Sequence, residues 1–433
     1  RGESIAGLIR SSQILQSRYG RVYVEFGEPI DAADFVAAHH PDGAADLERD
    51  DLDRTVRRLA YRIIHGINDV TTVTPSALAA LVALNNPAKA IDTETLTREI
   101  GFVLSFLRAR NARFSGSLER AIDARFASIR GISRTPLDVK AFDEYDAEFM
   151  EDEEVRPIQA ADSIVRKTDR ALGAAVLPTL EEALALLEDK KLVEVQQVDG
   201  ETLYVVPDAR RTELAYYKNN IIHYFVPEAV FATALYVVEG TDVSADDVRS
   251  YTLFLSRLLK QEFCFEERDR FEEVFDRTRE YFVQRGWIVD NGDGTMSITD
   301  PPPAGVEFLR GLLIPTIEAY YNAVDSSVEF AADWVDEKTL LKQSLDRGEA
   351  QHLKGHLAYR EGITKATLQN ALRVLTGWGV LERREEPGAL RRPQKQLRVS
   401  EEYRGELLFE FRDSLRAMIA RQKRVPGEIL RRL

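Results

Sequence analysis

Three segments of this chain share one layout, a helix followed by two short strands and a tight turn. That layout limits the folds open to the chain more than any other feature. The first is TLEEALALLEDKKLVEVQQVDGETLYVV, Thr179 to Val206. Thr179 and Glu182 have capping-box spacing, which predicts a helix start there, and Asp199-Gly200 is a strong two-residue hairpin turn. The second is TREYFVQRGWIVDNGDGTMSIT, Thr278 to Thr299. Gly286 suits the left-handed end of a helix, and Asn291 to Gly294 supplies the turn. The third runs from Ile363 to Ser400, with Gly377 expected to close its helix. Hairpins made from sequence neighbours give small antiparallel sheets among helices, so an α-rich α+β fold is expected. Helix plus hairpin is the second half of a winged-helix module, and equally a local way to cap helical layers.

Elsewhere the pattern is helical. DLDRTVRRLAYRIIHGIND places Val56, Leu59, Ala60, Ile63 and Ile64 on one face at the 3.6-residue period. Pro75 suits the first turn of a second helix, where its missing N–H costs nothing. Leu96, Ile100, Val103, Leu104 and Leu107 are spaced for packing in a third. The acidic run DEYDAEFMEDEE, Asp143 to Glu154, repels itself and reads as a solvated linker. The stretch Ile221 to Val238 is strongly apolar, but His223, Pro227 and Glu228 interrupt it, which favours a kinked, buried helix pair over a membrane span.

Near the start, VYVEFGEPI predicts a buried strand at Val22–Phe26 that breaks at Gly27-Glu28-Pro29 and opens a helix at Asp31. The chain begins with Arg1, shows no signal-peptide pattern, and reads as a piece of a longer protein. Its net charge of −14 disfavours general nucleic-acid binding, and one cysteine, Cys264, excludes a disulfide framework or a cysteine metal site. None of the six histidines begins a zinc motif, and no P-loop, dinucleotide fingerprint or nucleophile elbow occurs. His352 and His356 share a helical spacing without an evident third ligand. No cofactor or metal is expected.

Two blocks carry a family resemblance. VYVEFGEPI resembles the fourth motif block of the glycerolipid acyltransferases. LAYYKNNIIHYFVPEAV, Leu214 to Val230, resembles the C-terminal region of the bacterial membrane-associated glycerol-3-phosphate 1-O-acyltransferases. The resemblance runs in order over about Arg1 to Asp300. It implies transfer of a fatty acyl group from acyl-CoA or acyl-acyl carrier protein to the sn-1 hydroxyl of glycerol 3-phosphate. Such chemistry needs an imidazole base oriented by a carboxylate, which the family supplies as H-x-x-x-x-D.

That motif is absent here. His65 is followed by Asp69, one residue too close, while His223 and His356 meet Glu228 and Glu361 at the fifth position. The resemblance therefore implies a catalytic dyad upstream of Arg1 and a chain that is inactive alone. It also implies that Phe26, Gly27, Glu28 and Pro29 border the substrate pocket. Tyr216, Tyr217, Lys218, Asn219, Asn220 and His223 are expected to be structural.

The expected organisation is the end of an acyltransferase α/β domain at 1–36, a helical domain at 37–140, an acidic linker at 141–160, a helical domain with hairpins at 161–330, and a winged-helix-like region with a basic tail at 331–433. Attachment would be peripheral, at the cytoplasmic face of the inner membrane. The alternatives are a non-catalytic helical scaffold or regulatory module and a winged-helix nucleic-acid binder. The last rests on a hairpin carrying Arg383, Arg384, Arg391, Arg392, Lys395 and Arg398. The family reading leads to no nucleic-acid partner.

Overall fold

The computed structural model describes residues 21–41, 48–86, 88, 90–128, 157–238, 242–263, 270–299, 302–330, 332–387, 393–420 and 432. The acidic run, Cys264, Arg391, Arg392 and most of the basic tail lie outside them. Helices dominate, with small sheets between them.

One five-part unit occurs three times among the described residues. Each has a helix, a strand of two or three residues, two more helices, and a hairpin. The first comprises Pro75–Asn85, Ala90–Asp92, Thr93–Ala109, Pro157–Asp189, and the strands Glu194–Val198 and Glu201–Val205. A short parallel strand pair, Thr72–Val73 with Arg113–Phe114, and the Gly116–Ser128 helix accompany it. The second comprises Val226–Val237, Asp242–Ser244, Ala245–Leu258, Phe271–Gln284, and the strands Ile288–Asp290 and Thr295–Ile298. The third comprises Ile314–Val328, Val335–Asp336, Glu337–Leu353, Lys365–Gly377, and the strands Leu381–Pro387 and Pro393–Val399. In every unit the short strand pairs antiparallel with the last strand, which lies between it and its hairpin partner.

The same local chemistry builds each copy. The last residue of the short strand caps the next helix. Asp92 Oδ1 accepts from the N–H of Thr95, Ser244 Oγ from that of Asp247, and Asp336 Oδ1 from those of Lys338 and Thr339. At the other end a left-handed residue stops the helix before the hairpin: Lys191, Gly286 and Gly379, at φ 56°, 65° and 72°. The next residue is apolar and buried, and its N–H reaches back to the final helical turn. Leu192 donates to Leu187, Trp287 to Phe282 and Val380 to Leu375, at 2.9, 2.9 and 3.0 Å. This is the Schellman ending with its hydrophobic contact. Gly379, not Gly377, holds the left-handed position in the third unit, because Gly377 still belongs to the helix.

The expected helix start at Thr179 does not occur. The Pro157–Asp189 helix runs through Pro178. An interior proline costs about 3 kcal/mol, and Leu172, Val176, Leu180, Leu184 and Leu187, all buried, supply packing on both sides of it. This helix crosses Thr93–Ala109 in backbone contact. A β-carbon on Gly101 would lie 1.7 Å from the carbonyl oxygen of Asp169, and one on Gly173 would lie 1.9 Å from that of Thr97.

The apolar stretch near the middle resolves into a single 3-10 turn, Ile222–Phe225, and the helix Val226–Val237. Pro227 occupies the first helical turn, where it is tolerated. Glu228 is buried and pairs with Arg110. Among the described residues, no helix is long and apolar enough to cross a membrane.

A buried polar knot joins distant parts of the chain. Arg211 donates from Nε and Nη2 to the two carboxylate oxygens of Glu361, at 2.7 and 3.0 Å, and from Nη2 to the carbonyl of Leu84 at 3.0 Å. Burial opposes the guanidinium charge, but the hydrogen bonds and charge of Glu361 hold its pKa above the usual value. Glu318 accepts from the N–H groups of Ala358 and Tyr359 at 2.8 and 2.9 Å, while burial pushes its carboxyl up to about 7.

Two predictions follow from these contacts. Gly101→Ala should cost at least about 1–3 kcal/mol from overpacking, whereas Gly66→Ala, with nothing within 4 Å of the added carbon, should be neutral or gain about 0.5–1 kcal/mol of helix propensity. Thermal melting checks both. Arg211→Met should cost roughly 3–5 kcal/mol by stranding Glu361, and Arg211→Met with Glu361→Leu should recover most of it in denaturant titrations.

Candidate functional site

The two resembling blocks lie far apart in sequence and converge on the end of one helix, Arg49–Asp69. From one side comes Gly27. A β-carbon there would meet the carbonyl oxygen of Gly66 at 3.4 Å and Cγ1 of Val70 at 3.6 Å. From the other comes the His223 region. His223 feels the charge of Asp69 and the backbone of Asn68, and the Tyr224 hydroxyl donates to the Thr71 carbonyl at 3.3 Å.

The strand expected at Val22–Phe26 is not formed. Residues 21–30 have no strand partner and no backbone–backbone hydrogen bond to a described residue. Val22, Val24 and Phe26 are 84 %, 71 % and 90 % exposed. A strand exists only through its ladder, and the short pair beside this segment, Thr72–Val73 with Arg113–Phe114, does not extend one to residues 21–30. Arg113 anchors the segment through an ion pair to Glu25 at 2.7 Å. The chain then enters the Ala32–His39 helix, capped by Asp31, whose Oδ1 accepts from Ala33 and Asp34 at 2.8 and 2.9 Å. Phe26, Gly27, Glu28 and Pro29 are all exposed.

The second block is a short helix, Arg211–Asn219, followed by the 3-10 turn. Tyr216 points out, Tyr217 packs against the core, and Lys218 is buried. Desolvation lowers the pKa of Lys218, the nearby charge of Glu361 acts against this, and that of Arg211 adds to it. Asn219 ends the helix and Asn220 caps it through its backbone N–H.

Burial drives the His223 imidazole down to about 4, so it is neutral at physiological pH. Its Nε2 is buried without a hydrogen-bond partner among the described residues. Neither fifth-position glutamate serves a histidine. Glu228 is bound by Arg110 and Glu361 by Arg211. His352 Nδ1 lies 3.0 Å from the Leu357 carbonyl. Among the described residues, no three histidine, cysteine or carboxylate side chains are grouped to hold a metal ion.

The described residues therefore present a scaffold around one helix end, which also carries His65 and Asp69. Sequence reasoning missed the Arg49–Asp69 helix as the element joining the two blocks. The short spacing from Gly27 to that helix is the signal that could have suggested it.

Comparison with known proteins supplies the family. The model for the glycerol-3-phosphate acyltransferase C-terminal region matches residues 1–132 and 162–384, which contain both blocks. A Mycobacterium tuberculosis (strain H37Rv) protein named "Putative acyltransferase plsB1" is 25 % identical over 389 residues, covering 86 % of this chain and 51 % of the relative. The glycerol-3-phosphate acyltransferase of Pseudomonas syringae pv. tomato is 23 % identical over 333 residues, covering 74 % of this chain and 32 % of the relative. That of Pseudomonas fluorescens (strain SBW25) is 22 % identical over 403 residues, covering 90 % and 40 %. The chain thus spans about half or less of the length of these curated relatives. With most of its residues matched by one family model, it belongs to the glycerol-3-phosphate acyltransferase C-terminal region family.

Proposed function

We propose that this chain is the C-terminal part of a glycerol-3-phosphate 1-O-acyltransferase. The whole protein transfers a fatty acyl group from acyl-CoA or acyl-acyl carrier protein to the sn-1 hydroxyl, a step of phospholipid synthesis. The observation that carries this reading is the meeting of the F-G-E-P and Y-Y-K-N-N blocks at the end of the Arg49–Asp69 helix, within a chain matched by the family model. The reaction needs a base for the attacking hydroxyl and donors for the thioester oxyanion. In this reading the base is the histidine of an H-x-x-x-x-D motif in the part of the protein that the relatives carry and this chain does not span. Phe26, Gly27, Glu28 and Pro29 border the pocket, and their exposure is compatible with that role.

The three units form the supporting scaffold, and their repeated strand order favours winged-helix-like modules. The nucleic-acid alternative finds less support. Arg383 pairs with Glu337, Arg384 with Glu386 and Arg398 with Glu382, while Arg384 and Arg398 both stack on Trp334. On the helix before that hairpin, Asn370 donates to the Gln261 carbonyl. The protein acts at the cytoplasmic face of the inner membrane, attached peripherally.

Two experiments test these assignments. Purified residues 1–433, given glycerol 3-phosphate and palmitoyl-CoA, should show no transfer above the uncatalysed rate. The full-length protein should transfer, and should lose about 10²–10⁴-fold when the motif histidine is replaced; turnover by residues 1–433 alone would overturn the placement of the base.

His223 should act through stability. Its folded pKa of about 4 lies below the unfolded value of roughly 6.5. The unfolded state therefore takes up the proton first, and the stabilisation present above about pH 6.5 should be lost as pH falls toward about 4. His223→Gln should flatten that part of the melting-temperature profile and leave kcat of the full-length enzyme within about threefold.

A further inference from the structure

One stretch of this acidic chain is basic. Residues 54–68 carry Arg54, Arg57, Arg58 and Arg62 and no carboxylate, in a protein whose net charge is −14. They form most of the Arg49–Asp69 helix, while Asp50 and Asp51 sit in its first turn, where they complement the helix dipole. The helix is held from one side. Its one fully buried residue is Thr55, whose hydroxyl lies 2.6 Å from His40 Nε2. Its apolar stripe is left open: Val56, Ile63 and Ile67 are 57 %, 46 % and 58 % exposed. At 3.6 residues per turn these three share a face, with Arg57 to one side of it and Arg62 to the other. Arg54, Arg57 and Arg58 are exposed as well. The result is an apolar strip with a cationic border, about 22 Å long at 1.5 Å per residue.

We propose that this face docks an acyl carrier protein, an acidic helical partner lying along the helix from Arg54 to Ile67. The proposal rests on the acyltransferase reading and goes beyond it by placing the acyl donor. Charge selects this occupant first. Carrier proteins of this class are acidic, so they complement the four arginines here and meet like charge over most of the chain. Position selects it next. A β-carbon on Gly27 would meet the Gly66 carbonyl oxygen at 3.4 Å, so the helix face is continuous with the F-G-E-P segment assigned to the pocket border. An acyl group tethered covalently to its carrier reacts only if the carrier seats within the tether's reach of that pocket, a constraint that a lipid surface does not share. The basic block also stops at Asp50, Asp51 and Asp53. That suits a partner of limited footprint better than an extended anionic bilayer, which would repel those carboxylates. A second copy of this chain fits worst, because pairing the two faces sets the same arginines against each other.

The two parts of the face have separate tasks. The arginines steer the encounter and set its register, and Val56, Ile63 and Ile67 add apolar contact that slows release. Acyl-CoA carries no folded protein and makes no use of the face. The two donors are therefore separable by mutation.

The test has a binding arm and a turnover arm. Residues 1–433 should bind palmitoyl-acyl carrier protein in titration calorimetry, with an affinity that falls at least about tenfold from low to high salt. Arg57→Glu with Arg62→Glu should lower the low-salt affinity by at least about tenfold with the melting temperature unchanged, whereas Arg57→Lys with Arg62→Lys should retain it. Arg57→Gln alone, at an exposed position, should lower it about threefold. In the full-length protein the double glutamate variant should raise KM for palmitoyl-acyl carrier protein at least about tenfold and leave kcat and KM for palmitoyl-CoA within about twofold. Carrier binding that is absent, or indifferent to these substitutions, would overturn the proposal. So would an equal loss with both donors, which would assign the arginines to the fold or the pocket. Arginine-dependent binding to vesicles of phosphatidylethanolamine and phosphatidylglycerol in place of the carrier would overturn it in favour of a membrane surface, and an arginine-dependent doubling of mass in favour of a second copy. Transfer from palmitoyl-CoA without carrier binding sinks the docking alone, whereas carrier binding without transfer by the full-length protein sinks the acyltransferase reading and leaves the docking in place.

Discussion

The architecture depends on a left-handed residue at the end of a helix. At Lys191, Gly286 and Gly379 the backbone reverses hand, the next N–H returns to the last helical turn, and the apolar side chain that follows enters the core. This one turn sets where the hairpin leaves the helix and which strand face is buried. The short strand earlier in each unit then finds the hairpin's last strand, and its final residue caps the following helix. Three sheets of the same strand order arise from the same few hydrogen bonds. In the first unit the left-handed site is a lysine, which bears a steric cost that glycine avoids. The Schellman bonds and the burial of Leu192 offset that cost.

Much of this was legible because it is local. Asp199-Gly200 and Asn291 to Gly294 announce turns through the backbone freedom of their own residues, and both occur where expected. The strands Ala90–Asp92, Asp242–Ser244 and Val335–Asp336 were not foreseen, because two or three residues carry no readable periodicity and exist through distant pairing. Thr179 and Glu182 had the spacing of a helix start, but packing on both sides of Pro178 carried the helix across it. Gly377 is the last residue of its helix, as expected, while the left-handed turn into the hairpin falls two residues later at Gly379.

The candidate site shows the same limit in another form. Periodicity identified the apolar face of the Arg49–Asp69 helix, but amphipathicity does not say what covers that face. The residues expected to pack inward stand toward solvent. Likewise Val22–Phe26 carries a β-forming pattern, while no described strand pairs with it. What the sequence could not show at all was that Gly27 and His223 approach the same helix end. Nothing in either block names the other, and the helix between them supplies the connection.

The Arg211–Glu361 pair has a consequence for how the polypeptide is made. Its partners are 150 residues apart. At about 5–20 residues per second, a ribosome needs roughly 8–30 s to deliver the glutamate after the arginine. Through that interval the Arg211–Asn219 helix cannot seat its guanidinium in the interior without an uncompensated charge. The first unit can form its hairpin locally, but its junction with the rest of the molecule must wait for the third. Biosynthesis therefore has an order built into it, in which the late C-terminal segment closes an interior left open behind it.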